Sequence, residues 1–280
     1  MNALEIRNLT KAYPGFRLDN LNLTLPSGCI MGLVGENGAG KSTAVKLILD
    51  MVRRDGGSVR ILGSDSRKNI CELKQDIGVV LDDVGIPGCL TAKQVGNIMR
   101  HTFKRWNETA YERYLEKLSI PSRKPFKDFS RGMRTKLGIA TALSHDPKLL
   151  ILDEATSGLD PVVRDEVVDM IGEFTRDESR SVLISSHIVS DLEKVCDYIA
   201  FLHKGRLLLC EEKDALLERY GMLHCSAAQL AQLDPEAVKG KRASPYGVQA
   251  LVLRDAVPAG FNVSPVGIEE LFVFMVKGDL

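Results

Sequence analysis

Runs of alternating apolar and polar residues near the start of the chain predict β-strands. Residues 4–6 and 21–25 alternate in the manner of half-exposed strands. Residues 29–34 form an apolar run without a charge, which is typical of a strand buried in a parallel sheet. A glycine-dense segment, residues 35–40, comes next, and residues 41–52 have the periodicity of a helix. The first zone, about residues 1–80, is therefore expected to hold several strands and one early helix.

The middle of the chain, about residues 84–145, has helical periodicity instead. Residues 91–105 and 108–118 have the spacing of amphipathic helices, and Pro121 and Pro125 separate them from the next helix. That helix is predicted over residues 130–143, with Ser130 as its N-cap. We expect this zone to be a helical insertion between two strands.

Strand-like and helical segments alternate again from residue 149 onward. Residues 149–152 and 181–185 predict strands, and residues 161–174 and 188–196 predict helices. Because this alternation is typical of strand–helix–strand units, it predicts an α/β fold with a mainly parallel sheet. The pattern weakens after about residue 212, so we expect residues 216–280 to form a small accessory region.

The composition is that of an ordinary globular protein, with 44% hydrophobic and 26% charged residues among 280. Lys and Arg together number 37, as do Asp and Glu, and this neutral balance argues against nucleic acid as the main partner. No apolar run has the length of a membrane span, and residues 1–10 lack the apolar core of a signal peptide. We therefore expect a cytosolic protein.

Six cysteines are scattered along the chain, and none are spaced as C-x-x-C, so the sequence gives no support for a zinc site. They lie in apolar segments, which predicts reduced and mostly buried thiols.

Residues 35–42, with the sequence GENGAGKS, fit the pattern G-x-x-x-x-G-K-[ST]. Glycines allow backbone N–H groups to turn toward a β-phosphate, and the following helix points its positive end at the same oxygens. Lys41 would add a full charge to the β- and γ-phosphates, and Ser42 a hydroxyl to Mg²⁺. The alternative is a glycine-rich turn that binds nothing. The predicted nucleotide-binding residues are Gly35, Asn37, Gly38, Ala39, Gly40, Lys41, Ser42 and Thr43.

A second element is the apolar strand at residues 149–152, which ends in two carboxylates, Asp153 and Glu154. Asp153 is predicted to hold Mg²⁺ through water, and Glu154 to polarise the attacking water as a general base. Taken alone, such a pair can be a mere strand end. Its position about 110 residues after a phosphate loop favours the catalytic interpretation.

With these motifs in order, residues 1–215 resemble the ATPase cassette of ATP-binding cassette (ABC) transporters. Tyr13, in the segment KAYPG, matches the aromatic residue that stacks on adenine in that family; a turn residue is the alternative. His187, in the segment SSH, matches the histidine that contacts the γ-phosphate. The resemblance thus implies that Lys41, Glu154 and His187 are the catalytic residues. The loop that contacts the second subunit is matched by Ser157, Gly158, Leu159 and Asp160.

The segment FSRGM, residues 129–133, stands where the family carries its signature, usually LSGGQ. The resemblance implies that Ser130, Arg131, Gly132 and Met133 face a nucleotide held by a second subunit. The Ser130 hydroxyl and the Gly132 N–H would be donors to the γ-phosphate, because a helix N-terminus attracts anions. ATP would then join two subunits head to tail, as a homodimer or a heterodimer. Without the resemblance, Ser130 would be only an N-cap.

The sequence departs from the family pattern at two places. Asp82 stands where the family usually has a glutamine that reaches Mg²⁺. An Asp can approach Mg²⁺ through water but repels the γ-phosphate if it is unshielded; a plain loop carboxylate is the alternative. Arg131 and Met133 replace the usual Gly and Gln. The resulting Ser-basic-Gly-Met form resembles bacterial exporter ATPases of antibiotic and peptide resistance.

The resemblance implies a P-loop ABC cassette: a mainly parallel core, an N-terminal antiparallel β-subdomain, a helical subdomain at about 84–145 and a small C-terminal extension. It further implies ATP and Mg²⁺ as cofactors, a second ATPase subunit, and a separate integral membrane permease. The protein would lie peripherally on the cytoplasmic face of the membrane. The alternatives are a soluble ABC ATPase that acts on ribosomes or nucleic acid, and a regulatory module with a dead site.

Overall fold

The computed structural model describes residues 1–68, 70–82, 85–244 and 247–277, and the chain divides into two compact units, Met1–Leu209 and Cys210–Leu280. In the described part of the chain, every helix is too short or too polar to span a lipid bilayer. The first unit contains β1 (Asn2–Tyr13), β2 (Phe16–Pro26), β3 (Ile30–Val34), α1 (Lys41–Ile48), β4 (Gly56–Ile61), β5 (Ser64–Asp65), α2 (Ile70–Lys74), β6 (Ile77–Val80), α3 (Ala92–Thr102), α4 (Glu108–Lys117), α5 (Arg131–Leu143), β7 (Leu149–Asp153), α6 (Pro161–Phe174), β8 (Ser181–Ser186), α7 (Val189–Val195) and β9 (Tyr198–His203). Strand β10 (Arg206–Glu212) continues into the second unit.

Two sheets build the first unit. Strands β2-β1-β4-β5 form an antiparallel sheet, and β10-β9-β3-β8-β7-β6 form a six-stranded sheet. Strands β9, β3, β8, β7 and β6 of the second sheet pair in parallel. Every residue of β3, β7 and β8 is buried, as expected for apolar strands covered on both faces. The predicted α/β class with a mainly parallel core and an N-terminal antiparallel sheet is confirmed.

The register of the parallel strands brings three chain segments to one edge of the sheet. Val34 pairs with Ser186, and Asp153 pairs with Ser185, so β3, β7 and β8 end side by side. Ligands of open α/β sheets bind outside the carboxyl ends of the strands. The loops that follow these three strands carry the glycine-rich segment, Glu154 and His187.

Helices α3, α4 and α5 lie between β6 and β7 in the chain. Tyr111 of α4 is buried, and its hydroxyl donates a hydrogen bond to the Ala92 carbonyl at 2.8 Å. The Tyr111 ring packs against Gly96 of α3, where a Cβ would come within 2.6 Å of the ring. Burial raises the pKa of Tyr111 well above its usual range. After α5, His145 stacks on Phe103 at 3.8 Å between ring centroids and contacts the Ile77 carbonyl of β6 at 3.1 Å. These contacts join the helices to the parallel sheet.

Several sequence-based boundaries need correction. Helix α1 ends at Ile48 and not at residue 52, because Asp50 adopts a left-handed conformation with φ of 52°. Helix α3 ends at Thr102, three residues earlier than expected. The expectation of mostly buried thiols is wrong: Cys196 is buried, whereas Cys71 and Cys89 are exposed because α2 and the loop before α3 turn them toward solvent.

The second unit has a four-stranded antiparallel sheet of its own, in the order β12-β13-β11-β14. Its core contains Leu223, Leu233, Ala250 and Val252. The elements are α8 (Lys213–Arg219), β11 (Tyr220–Cys225), α9 (Ala227–Leu230), β12 (Val238–Ser244), β13 (Gly247–Leu253), β14 (Val263–Ser264) and α10 (Ile268–Lys277), with 3₁₀ turns at Pro235–Ala237 and Arg254–Ala256. A further 3₁₀ turn of the first unit, Phe126–Asp128, precedes α5.

Candidate nucleotide site

The glycine-rich segment forms the loop between β3 and α1. Gly38 and Gly40 have φ of 84° and 109°, in the left-handed region that L-residues avoid, so only glycine lets the chain turn here without strain. A Cβ on Gly35 would come within 2.5 Å of the Leu202 carbonyl, and one on Gly40 within 2.7 Å of the Phe16 ring. The loop is therefore packed tightly against β9 and β2.

A cavity of about 580 Å³ lies against this loop. Most of the predicted loop residues line it, together with three residues outside the predicted set, Gly15, Phe16 and Glu36. The lining residues are Gly15, Phe16, Glu36, Asn37, Gly38, Gly40, Lys41, Ser42, Thr43, Asp82 and Glu154. Gly35 and Ala39 lie in the same loop, and Ala39 is buried and accepts from the Gly205 N–H at 2.9 Å.

Tyr13 is not among the residues that line the cavity. It ends β1 opposite Phe16, its side chain is 41% exposed, and the Lys11 ammonium lies 5.5 Å from its ring centroid. The two-residue turn Pro14-Gly15, with Gly15 at φ of 80°, places Phe16 at the start of β2 on the cavity side. A turn signal was visible in the sequence, but it did not say which of the two flanking rings would face the cavity.

The Lys41 ammonium makes three polar contacts beside the cavity. The Lys41 side chain is 5% exposed, and its ammonium donates to the Gly35 carbonyl at 2.7 Å and the Glu36 carbonyl at 3.3 Å. Its third neighbour is Glu154 Oε1, at 3.0 Å. Three acceptors match the three protons of an ammonium group.

Glu154 follows β7 in a left-handed conformation, with φ of 54°. This conformation costs a non-glycine residue about 1 kcal/mol. Its backbone N–H donates to the Ser185 carbonyl at 3.0 Å, and Oε2 of its carboxylate lies 2.7 Å from His187 Nδ1. One carboxylate thus joins Lys41 to His187, and the three predicted catalytic residues form one connected group.

Asp153, the last residue of β7 and the chain neighbour of Glu154, is buried. Its side chain accepts from the Ser185 hydroxyl at 2.5 Å, and the residue is only 3% exposed. A buried carboxylate needs polar partners, and Ser185 on the neighbouring strand supplies one. Ser185 belongs to the segment SSH, but nothing in the sequence indicated that it would hold Asp153.

The predicted signature residues stand at the start of α5 and do not line the cavity. Ser130 caps the helix, since its hydroxyl accepts from the Met133 N–H at 3.3 Å. Gly132 lies near Leu159 and Val163, so the starts of α5 and α6 pack together. Arg131 forms an ion pair with Asp82, with 2.8 Å between Nη2 and Oδ1.

The predicted dimer-contacting loop, residues 157–160, follows Glu154. Ser157 donates its backbone N–H to the Glu154 carbonyl at 3.0 Å, and Leu159 is buried. Asp160 caps α6 by accepting from the N–H groups of Val162 and Val163 at 3.1 and 3.0 Å. Asp160 therefore stabilises the start of α6, independently of the predicted contact with a second subunit.

Comparison with known proteins identifies this arrangement. A family model described as "ABC transporter" matches residues 18–157. The lantibiotic transport ATP-binding protein SrtF of Streptococcus pyogenes is 37% identical over 216 residues, which cover 75% of this chain and 91% of SrtF. The bacitracin transport ATP-binding protein BcrA of Enterococcus faecalis is 36% identical over 208 residues, which cover 73% of this chain and 68% of BcrA.

Solved structures agree. One described as the ATP binding subunit of an ABC transporter superposes with a TM-score of 0.68 at 26% identity, covering 76% of this chain and 91% of the other. The chain belongs to the ABC transporter family, as an ATP-binding and ATP-hydrolysing subunit.

Proposed function

We propose that this chain powers an exporter of antibiotic-like or peptide cargo, and that it hydrolyses Mg-ATP in the cavity beside the glycine-rich loop. The observation that carries this assignment of the site is the connected group Lys41–Glu154–His187 at one edge of the parallel sheet, with contacts of 3.0 and 2.7 Å. The exporter class is supported by the relatives named for bacitracin and lantibiotic transport.

The residues divide the chemistry among them. The loop N–H groups and Lys41 bind the β- and γ-phosphates, and they stabilise the negative charge of the transition state. Glu154 accepts a proton from the attacking water as the water oxygen bonds to the γ-phosphorus and the bond to ADP breaks. His187 holds Glu154 through Nδ1, which leaves Nε2 as the atom that we assign to the γ-phosphate.

Magnesium fits the oxygen donors at this edge of the sheet. Mg²⁺ keeps several waters and is bound through one or two carboxylates together with substrate phosphates. Ser42 supplies a hydroxyl on the cavity wall, and Asp153 a buried carboxylate. We assign the ion to these two residues, where it would neutralise charge on the β- and γ-oxygens. Among the described residues, no group of three or more His, Cys, Asp or Glu side chains is gathered as for a metal ion.

The proposed assembly is a head-to-tail dimer, with a homodimer and a heterodimer both compatible with the sequence. In it, Ser130 to Met133 of each copy cap the nucleotide held by the other, and residues 157–160 line the same interface. The cassette, residues 1–215, carries this machinery, and residues 216–280 are accessory. A separate integral membrane permease completes the transporter, so the chain lies on the cytoplasmic face of the membrane.

The catalytic role of Glu154 is tested by Glu154→Gln. Gln keeps the size of the side chain and an acceptor for Lys41 but cannot take a proton, so the variant should bind Mg-ATP and hydrolyse it at least about a hundredfold more slowly. Loss of hydrolysis should trap the ATP-bound dimer. Steady-state ATPase rates and equilibrium ATP binding measure both effects.

The matched control is Glu178→Gln, the same chemical change at an exposed position away from the cavity wall. It should retain the parent rate. Normal turnover by Glu154→Gln would remove Glu154 from the catalytic role.

The proposed permease partner separates the transporter from the soluble alternative. We expect the tagged chain, purified from detergent-solubilised membranes of its host, to bring down an integral membrane protein in fixed proportion. Ribosomes or nucleic acid in its place would favour the ABC ATPase of the soluble class. The control is the same purification of a Lys117→Ala variant, which alters only an exposed ion pair with Glu173.

A further inference from the structure

The two places where the sequence departs from the family pattern are in contact with each other. Asp82 follows β6 and lines the nucleotide cavity, whereas Arg131 is the first residue of α5. Their side chains form an ion pair of 2.8 Å between Nη2 and Oδ1, 49 residues apart in the chain. Nothing in the sequence pattern joined these two positions.

Arg131 has a second neighbour in the loop after the catalytic Glu154. A Cβ placed on Gly158 would lie 2.6 Å from Arg131 Nη1, and Gly158 has φ of 66°. The guanidinium therefore lies directly over a residue that has no side chain. Arg131 is held between the end of β6 and this loop, with its charge turned toward the cavity residue Asp82.

The ion pair contributes little to folding, so its importance must be sought elsewhere. Both side chains are more than half exposed, at 53% and 58%, and exposed pairs contribute from nothing to about 1 kcal/mol. An unpaired carboxylate on the wall of a triphosphate site, in contrast, repels the ligand, and the repulsion increases with the negative charge of the ligand. The two further carboxylates on the cavity wall also have cationic or ionisable neighbours: Glu154 pairs with Lys41, and Glu36 Oε2 lies 3.8 Å from His203 Nδ1.

We propose that Arg131 is a positioning residue that neutralises Asp82 within the same chain, so that the cavity accepts a polyanionic nucleotide despite an acid on its wall. The inference rests on the proposed function, since it requires the triphosphate to occupy this cavity. It assigns Arg131 a role in its own chain's site, in addition to any contact that it makes across the dimer.

Equilibrium binding of Mg-ATP to three variants tests the proposal: Arg131→Ala, Asp82→Asn, and both together. Arg131→Ala exposes the Asp82 charge and should weaken binding by about threefold to tenfold at low ionic strength. The double variant should bind as tightly as Asp82→Asn alone, because the Asp82 charge that Arg131 neutralises is already absent. The weakening by Arg131→Ala should appear in KM more than in kcat and should fade at about 1 M salt, where the screening length is about 3 Å.

Lys117→Ala is the matched control, because Lys117 and Glu173 form an ion pair of 2.7 Å with similar exposure, 48% and 51%. It should leave the binding of Mg-ATP unchanged. The proposal is overturned if Arg131→Ala binds like the parent, or if removing the Asp82 charge fails to restore its affinity. The second result would mean that Arg131 acts directly on the nucleotide or only as a structural link. Failure of the parent chain to bind Mg-ATP would contradict the proposed function itself, which keeps the two failures distinct.

Discussion

Phe16 and Tyr13 flank the same tight turn, yet only Phe16 lines the nucleotide cavity. The Phe16 ring lies against Gly40 at the start of α1, within 2.7 Å of where a Cβ would stand. Tyr13 faces solvent beside Lys11. The family pattern assigns adenine stacking to Tyr13, whereas the placement favours Phe16 as the ring that meets the base.

We therefore expect Phe16→Ala to weaken ATP binding more than Tyr13→Ala does. Stacking on an aromatic side chain contributes about 1–3 kcal/mol per base, which corresponds to a loss of about fivefold to 150-fold in affinity. Titration of each variant with ATP gives the two dissociation constants.

Phe16→Tyr separates stacking from packing against the phosphate loop, since it keeps an aromatic face and should bind ATP nearly as the parent does. A larger loss from Tyr13→Ala than from Phe16→Ala would return the stacking role to Tyr13.

At the scale of single residues, the sequence predicted which residues line the cavity better than it predicted the contacts between their side chains. Lys41 and Glu154 were recognisable because each belongs to a contiguous motif with a physical reason for its spacing. The Asp82–Arg131 pair was not, because its two members are 49 residues apart and meet only when α5 is folded beside β6. The support that Ser185 gives to Asp153 depends in the same way on strand register.

Elements with local start signals were predicted closely. Helix α6 begins at the expected residue because Asp160 caps it and Pro161 occupies its first turn. Helix α5 likewise begins after Ser130, as expected. Caps and first-turn prolines are encoded by neighbouring residues, so they can be recognised without knowledge of the tertiary fold.

Elements whose pattern is broken or shared with a partner strand were predicted poorly. Strand β1 extends over 12 residues, but register shifts around Leu9 and the left-handed Asn8 interrupt its alternation, so only residues 4–6 were recognised. Strand β12 has the polar sequence VKGKRAS and exists through its pairing with β13. Such strands are specified by contacts distant in sequence, which a local pattern does not contain.

At the scale of the whole molecule, the proposed dimer depends on α5 presenting its N-terminus to a second subunit. Partial positive charge at that end of the helix favours an anion there, whereas a cation placed there is repelled by the helix dipole. In the proposed assembly, Ser130 faces the nucleotide that the second subunit holds. Changes of charge at this position should therefore affect association without affecting the nucleotide cavity of the same chain.

We expect Ser130→Arg and Ser130→Asp to keep nucleotide binding but to lose dimerisation driven by ATP. Arg fills the approach with a bulky cation, and Asp repels the γ-phosphate. Asp keeps the helix cap that Arg removes, so its loss of dimer cannot be ascribed to the roughly 1 kcal/mol that a cap contributes. Light scattering with and without ATP, in the Glu154→Gln background, measures the association. Dimerisation of both variants at the parent level would refute the facing-site arrangement.

The Ser130 hydroxyl can cap α5 and donate a hydrogen bond to an anion at the same time. A serine hydroxyl has one hydrogen to give and two lone pairs to receive. The turn that begins at Arg131 uses only a lone pair, since the Met133 N–H is the donor. The hydroxyl hydrogen takes no part in the helix cap. Capping α5 through the oxygen and donating the hydrogen to an anion therefore do not compete.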